Sequence, residues 1–224
     1  YDGKIESWGH VLQKAGHRVD SIGKLHFRST DDPNGFDHEI LPLHLRNGVG
    51  SVMYSVKDPL PPSFMNKPSN FVTQIGPGLS DYANYDLNIR DEACRWLREE
   101  TPKMTARPWV LFVSFVSPHF PLMVPQEFYD LYPTDQIPTP KGSEDQKTQG
   151  HPWFEIARNF KNDDEFFTPE TRRIAIASYY GLCTFLDQNI GRVLDTAEEC
   201  GLNDNTRIMY ISDHGENLGT RSVW

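Results

Sequence analysis

A chain of 224 residues is long enough for one sizeable core, and 38% hydrophobic against 24% charged residues is the balance of a globular domain. Its formal charge of −9 argues against a nucleic-acid or anionic-membrane partner, because such surfaces repel an acidic protein. No run of about 18 apolar residues is present to span a bilayer, and any anionic substrate would need locally placed cations or a metal.

In chain order, Ser7 is placed to cap a helix running to Ala15, with Val11, Leu12 and Ala15 apolar and Gly16 as its stop. Arg18 to Ile22 reads as a short strand and leads directly into Gly23-Lys24-Leu25-His26-Phe27. Asp86 to Glu100 sets Ile89, Ala93, Trp96 and Leu97 on one helical face and meets Pro102 at its end. Trp109 to Val116 is almost wholly apolar, the pattern of a parallel strand buried on both faces, and it runs into Ser117-Pro118-His119-Phe120-Pro121. Thr168-Pro169-Glu170 opens a long helix with Leu182, Leu186, Ile190, Val193 and Ala197 on one stripe, closed by Gly201. Arg207 to Ser212 reads as the next strand, followed by Asp213-His214-Gly215. Helix and strand alternate, so the expected fold class is α/β, a mostly parallel sheet flanked by helices.

Two proline- and aromatic-rich stretches, Phe27 to Tyr85 and Pro118 to Phe167, resist assignment and read as functional walls or lids. Within the second, Lys141 to Gly150 reads as disordered. Phe27, Tyr54, Trp153 and Phe154 suit ordinary packing better than a cation-holding pocket. Cys94, Cys183 and Cys200 form no C-x-x-C pair and are expected as buried free thiols, which points weakly to a reducing, cytoplasmic compartment.

Each of the three polar motifs stands just beyond the carboxyl end of an expected strand, the edge where open α/β sheets bind ligands. If those strands run parallel, Lys24, His26, His119, Asp213 and His214 converge on one crevice. Lys24 is a compact charge for an oxygen of a tetrahedral anion, and His26 and His119 can donate hydrogen bonds or move protons. Asp213 and His214 make half a ligand set for a divalent cation.

These residues carry a family resemblance. The segment WGHVLQKAGHRVDSIGKLHF resembles the sulfatase pattern of a helix followed by Gly-Lys-x-His. Ser-Pro-His-x-Pro with Pro125, Phe128 and Tyr129 is similar to a second sulfatase segment, and YYGLCTFLDQNIGRVLDTAEECGLNDNTRIMYISDHGENLG to a third. The matches lie between residues 7 and 219. The resemblance implies an alkaline-phosphatase-like sheet and a metal-dependent hydrolase of small-molecule sulfate esters, homo-oligomeric at full length. It assigns Asp213 and His214 to one divalent ion (calcium, manganese or zinc), and Lys24, His26 and His119 to the sulfate group and its leaving oxygen. The family's nucleophile is a formylglycine made from a Cys/Ser-x-Pro-x-Arg motif, and this sequence holds no such motif. Asp31-Asp32 follows Gly-Lys-x-His instead of preceding it, so it reads as a loop and not as the family's metal-binding pair.

Residues 1–224 are therefore expected to be a partial catalytic domain, incomplete at both ends and inactive alone. Where many arylsulfatases have Asp-Asn-Gly, this chain has Asp213-His214-Gly215, which resembles the choline-sulfatase-like and phosphonate monoester hydrolase branches. The histidine nitrogen favours manganese or zinc over calcium, so a phosphonate or phosphodiester substrate stays open. Two other readings stay open as well, a non-catalytic binding module and a purely structural α/β domain. The last predicts that Lys24, His119 and Asp213 lie far apart.

Overall fold

The computed structural model describes residues 1–50, 72–104, 106–141 and 163–224. The chain divides into two compact units. The first comprises Tyr1–Gly50, Asp81–Ser117 and Leu186–Arg207, and the second Ser51–Ser80, Pro118–Phe185 and Ile208–Trp224. Among the described residues no helix is long and apolar enough to cross a membrane.

In the first unit, α1 (Trp8–Lys14) starts where expected, the Ser7 N–H donating to His10 Nδ1 at 3.1 Å. Gly16, at φ +90°, turns the chain out of the helix into β1 (Arg18–Lys24). β1 is the middle of a three-stranded sheet in the order β2-β1-β4, with β2 spanning His38–Leu43 and β4 Trp109–Ser114. Both pairings are parallel, Ile22 standing opposite Ile40 on one side and Val113 on the other. α2 (Asp81–Glu99) covers the sheet, beginning five residues before the expected start at Asp86. Its stripe of Ile89, Ala93, Trp96 and Leu97 joins Ile22 and Ala197 in a core where each is at most 7% exposed. Burying a side chain of Ile or Leu size contributes about 1.5–3 kcal/mol, so this stripe fixes the helix to the strands.

A buried charge network sits below that core. Asp20, on β1, is fully buried and accepts hydrogen bonds from Arg18 Nε (2.9 Å) and Nη2 (2.6 Å) and from the Trp96 indole (2.8 Å). One carboxylate thereby ties the central strand to the covering helix.

The second unit holds a two-stranded parallel sheet, β3 (Ile75–Pro77) with β5 (Leu122–Val124), and the short helix α3 (Gln126–Tyr129). α4 (Pro169–Glu199) has its first half in this unit and its second half in the other. Thr168 caps it reciprocally: its hydroxyl accepts the Thr171 N–H at 3.1 Å, and Thr171 Oγ1 accepts the Thr168 N–H at 2.9 Å. Gly181 lets α4 pass close to α3, since a Cβ there would stand 3.0 Å from the Phe128 carbonyl oxygen. Phe128 packs edge-on against Phe185 at 5.4 Å. Near the end of the chain, Trp224 stacks on Phe167 at 3.8 Å and donates to Asp164 at 2.8 Å.

Three expectations are corrected. Arg207 to Ser212 forms no strand: Ile208, Met209, Tyr210 and Ile211 are 60–84% exposed, and among the described residues no backbone ladder reaches them. An apolar, β-branched run has the chemistry of a strand but becomes one only against a hydrogen-bonding neighbour. β4 is parallel as expected, yet it is half-buried along its whole length where full burial was expected. Of the three thiols only Cys94 is buried, Cys200 being half-buried and Cys183 exposed. The expected disorder from Lys141 to Gly150 lies, beyond Lys141, outside the described residues, as do Tyr54, Trp153 and Phe154.

Candidate active site

In the first unit, Gly-Lys-x-His begins inside β1, because the strand runs on to Lys24. Gly23 has φ +103°, and a Cβ there would lie 2.2 Å from the Ser114 carbonyl oxygen and 2.8 Å from Ile89 Cδ1. Only glycine lets β1 pass so near both β4 and α2. Past a register shift between Ile22 and Lys24, the Leu25 and His26 N–H groups both donate to the Leu43 carbonyl (3.2 and 2.8 Å). The Leu45 N–H then donates to the Phe27 carbonyl at 2.9 Å. The motif is thus held along the extension of β2, with Lys24 half-buried and His26 exposed at φ +58°.

The Ser-Pro-His motif leaves the same sheet from β4. The Val116 and Ser117 N–H groups donate to the two carboxylate oxygens of Asp86, at 2.7 and 2.8 Å. Asp86 is fully buried in α2. Burial pushes its carboxyl above the usual range, opposed by the Ser117 hydroxyl, the two amide bonds and the positive charge of Lys24. Asp86 was not singled out in the sequence, although a signal existed: it falls on the same helical stripe as Ile89, Ala93 and Trp96, where a carboxylate is out of place.

In the second unit, His119 is exposed and its Nδ1 donates to the Phe120 carbonyl at 2.6 Å, so in the neutral ring the basic nitrogen is Nε2. His214 repeats that arrangement, its Nδ1 donating to the Gly215 carbonyl at 3.0 Å. A metal-binding histidine usually donates its other ring N–H in this way. His214 Nε2 stands 3.7 Å from Asp213 Oδ2, against about 3 Å for an oxygen and a nitrogen on one ion. The loop is braced by the Ser212 hydroxyl, which donates to the His214 carbonyl at 2.7 Å, and by the His214 N–H on Asp213 Oδ1 at 3.0 Å. Tyr179 of α4 lies beside it; burial raises its phenol, and the Glu216 backbone bonds to it.

Asp213 and His214 offer one oxygen and one nitrogen donor of the kinds a divalent cation takes, set wider apart than on a single ion. Among the described residues no group of three His, Cys, Asp or Glu gathers, and a full shell takes about four to eight donors. The structure brings Lys24 together with Asp86 and the Ser117 end of β4 in one unit, and Asp213 together with His214 in the other.

A parallel sheet flanked by helices, with polar motifs at the carboxyl ends of β1 and β4 and an Asp-His pair in a further loop, is an α/β architecture. Solved structures agree on that fold. Two phosphonate monoester hydrolases, from Silicibacter pomeroyi and Agrobacterium radiobacter, superpose with TM-scores of 0.64 and 0.67 at 23% and 19% identity. Each covers all of this chain, which matches 51% and 49% of theirs. The Sulfatase family model matches residues 4–223, and the chain belongs to that family. It is 27% identical over 241 aligned positions to a choline-sulfatase of Rhizobium meliloti and 28% over 231 to an arylsulfatase of Clostridium perfringens. Those alignments take in 100% and 93% of this chain but 45% and 46% of the relatives, so the chain spans about half the length of the proteins it matches.

Proposed function

We propose that the protein containing this chain hydrolyses sulfate esters, with Lys24, His26, His119, Asp213 and His214 acting on one sulfuryl group. The supporting observation is that all five stand in the three segments that resemble the family's motifs, within the matched span of residues 4–223. Lys24, a half-buried ammonium at the carboxyl end of β1, holds a non-bridging oxygen of the ester. His119, with Nδ1 committed to the Phe120 carbonyl, handles the leaving-group proton at Nε2, and His26 donates to the sulfuryl oxygens. Asp213 and His214 Nε2 would hold a divalent cation, which when bound neutralises charge on those oxygens. The nucleophile is a formylglycine contributed by residues outside these 224, none of which forms a Cys/Ser-x-Pro-x-Arg motif.

The test pairs an aryl sulfate with an aryl phosphonate monoester on the complete protein, alongside its metal content by mass spectrometry. The sulfate is expected as the preferred substrate, and Lys24→Ala to lower kcat/KM by about 10²–10³-fold. Turnover of neither ester would defeat the proposal. A second reading, hydrolysis of a phosphonate or phosphodiester, draws on His214, whose nitrogen suits manganese or zinc. It prevails if the phosphonate is preferred and the bound metal is one of those two.

A further inference from the structure

Resting on that reading of the reaction, we propose that Asp86 is a positioning residue: from within α2 it sets where the chain leaves β4 towards His119, in register with Lys24. The ladder between β1 and β4 ends at Ser114. Val116 and Ser117 lie beyond it, with no strand partner among the described residues, and the two Asp86 oxygens accept their N–H groups at 2.7 and 2.8 Å. A carboxylate accepting two successive amides fixes both position and direction of the backbone, which a hydrophobic contact cannot do. The Ser117 hydroxyl adds a further bond to the same carboxylate, and the Lys24 charge acts on it from β1.

One helical turn along, Ile89 meets the other motif: its Cδ1 would stand 2.8 Å from a Cβ at Gly23, next to Lys24. One face of α2 therefore fixes both the Gly23-Lys24 end of β1 and the Val116-Ser117 segment just past β4. Packing alone does not account for a carboxylate at that place. Ile89, Ala93, Trp96 and Leu97 already bury the helix, and an isolated buried charge is costly unless it is bonded. A full set of acceptors aimed at the end of a motif-bearing strand is what positioning requires.

The test makes Asp86→Asn in the complete protein, with Leu97→Ala on the same helix as a stability control. Asp86→Asn is expected to lower kcat by about 100-fold with KM changed by less than about threefold, as for a reacting group displaced by about 1 Å. Leu97→Ala is expected to unfold at least as easily yet keep kcat in the folded fraction. Amide hydrogen exchange provides a readout independent of activity: Val116 and Ser117 should exchange at least about tenfold faster in Asp86→Asn, the rest of α2 being unchanged. Should that variant fail to fold, Ser117→Ala, which removes only the hydroxyl bond, is expected to lower kcat by about fivefold with KM unchanged. A kcat within about twofold of wild type in Asp86→Asn, or in Ser117→Ala where that variant substitutes for it, overturns the inference. If the wild-type protein turns over neither ester, the proposed function falls instead, and the exchange measurement still decides whether Asp86 holds the strand end.

Discussion

Replacing Asp20 by alanine tests how β1, the strand that carries Lys24, is anchored. The substitution removes both Arg18 bonds, the Trp96 indole bond and a contact with His38 Nδ1 at 3.1 Å. Breaking a buried ion pair from one side costs about 3–5 kcal/mol, and an indole N–H left without an acceptor adds to that. Two features pull the figure down: Arg18 keeps Glu100 at 3.1 Å, and its side chain is 17% exposed. The sum is about 3 kcal/mol, or roughly 6–12 °C in Tm for a chain of this size. Asp20→Asn, which retains one acceptor oxygen, is expected to lose about half as much. Denaturant unfolding followed by tryptophan fluorescence reports directly, since Trp96 is itself a partner. A loss below about 1 kcal/mol for Asp20→Ala would show that the network does not hold the strand.

Gly23→Ala is expected to cost more than about 3 kcal/mol or to abolish folding, because positive φ and a 2.2 Å clash with the Ser114 carbonyl coincide. Gly16→Ala, at φ +90° with nothing within 4 Å, should cost only about 1–2 kcal/mol, and paired thermal melts give the comparison. For Asp37, burial pushes the carboxyl up, but the Val19 N–H at 2.7 Å, Gln13 and Arg107 together bring it below the usual range. A depressed folded-state pKa contributes stability above about pH 4, lost as pH falls through the folded value, so the urea midpoint of Asp37→Asn should fall less than that of wild type on acidification from pH 5 to about pH 3. The 224-residue chain alone, without a Cys/Ser-x-Pro-x-Arg segment, is expected to give no sulfate-ester hydrolysis above buffer, and measurable turnover would mean that its nucleophile lies within these residues.

Elements whose local chemistry and burial agree were legible in the sequence. α1 and α4 open on Ser7 and Thr168, β1 sets Val19 and Ile22 among polar residues, β4 carries an apolar run, and the two strands pair in parallel. β2 was missed because HEILPL buries no residue fully and contains Pro42, so it lacks the signature of an inner strand. Ile208 to Ile211 was over-read for the opposite reason: its composition suits a strand, but pairing depends on a neighbour that composition cannot supply. The candidate residues Lys24, His26, His119, Asp213 and His214 drew attention in the sequence because each follows an expected strand, where ligands bind in open α/β sheets. Asp86 was passed over although it falls on the apolar stripe of α2, because its role shows only when its acceptors are seen to meet Val116 and Ser117.

The most direct test of the account is a crystal structure of the complete protein with inorganic sulfate bound. The account predicts Lys24 Nζ and His119 Nε2 at about 3 Å from the same sulfate, with Asp213 and His214 on one cation beside it. A sulfate bound elsewhere, with these side chains on separate faces of a folded molecule, would contradict it.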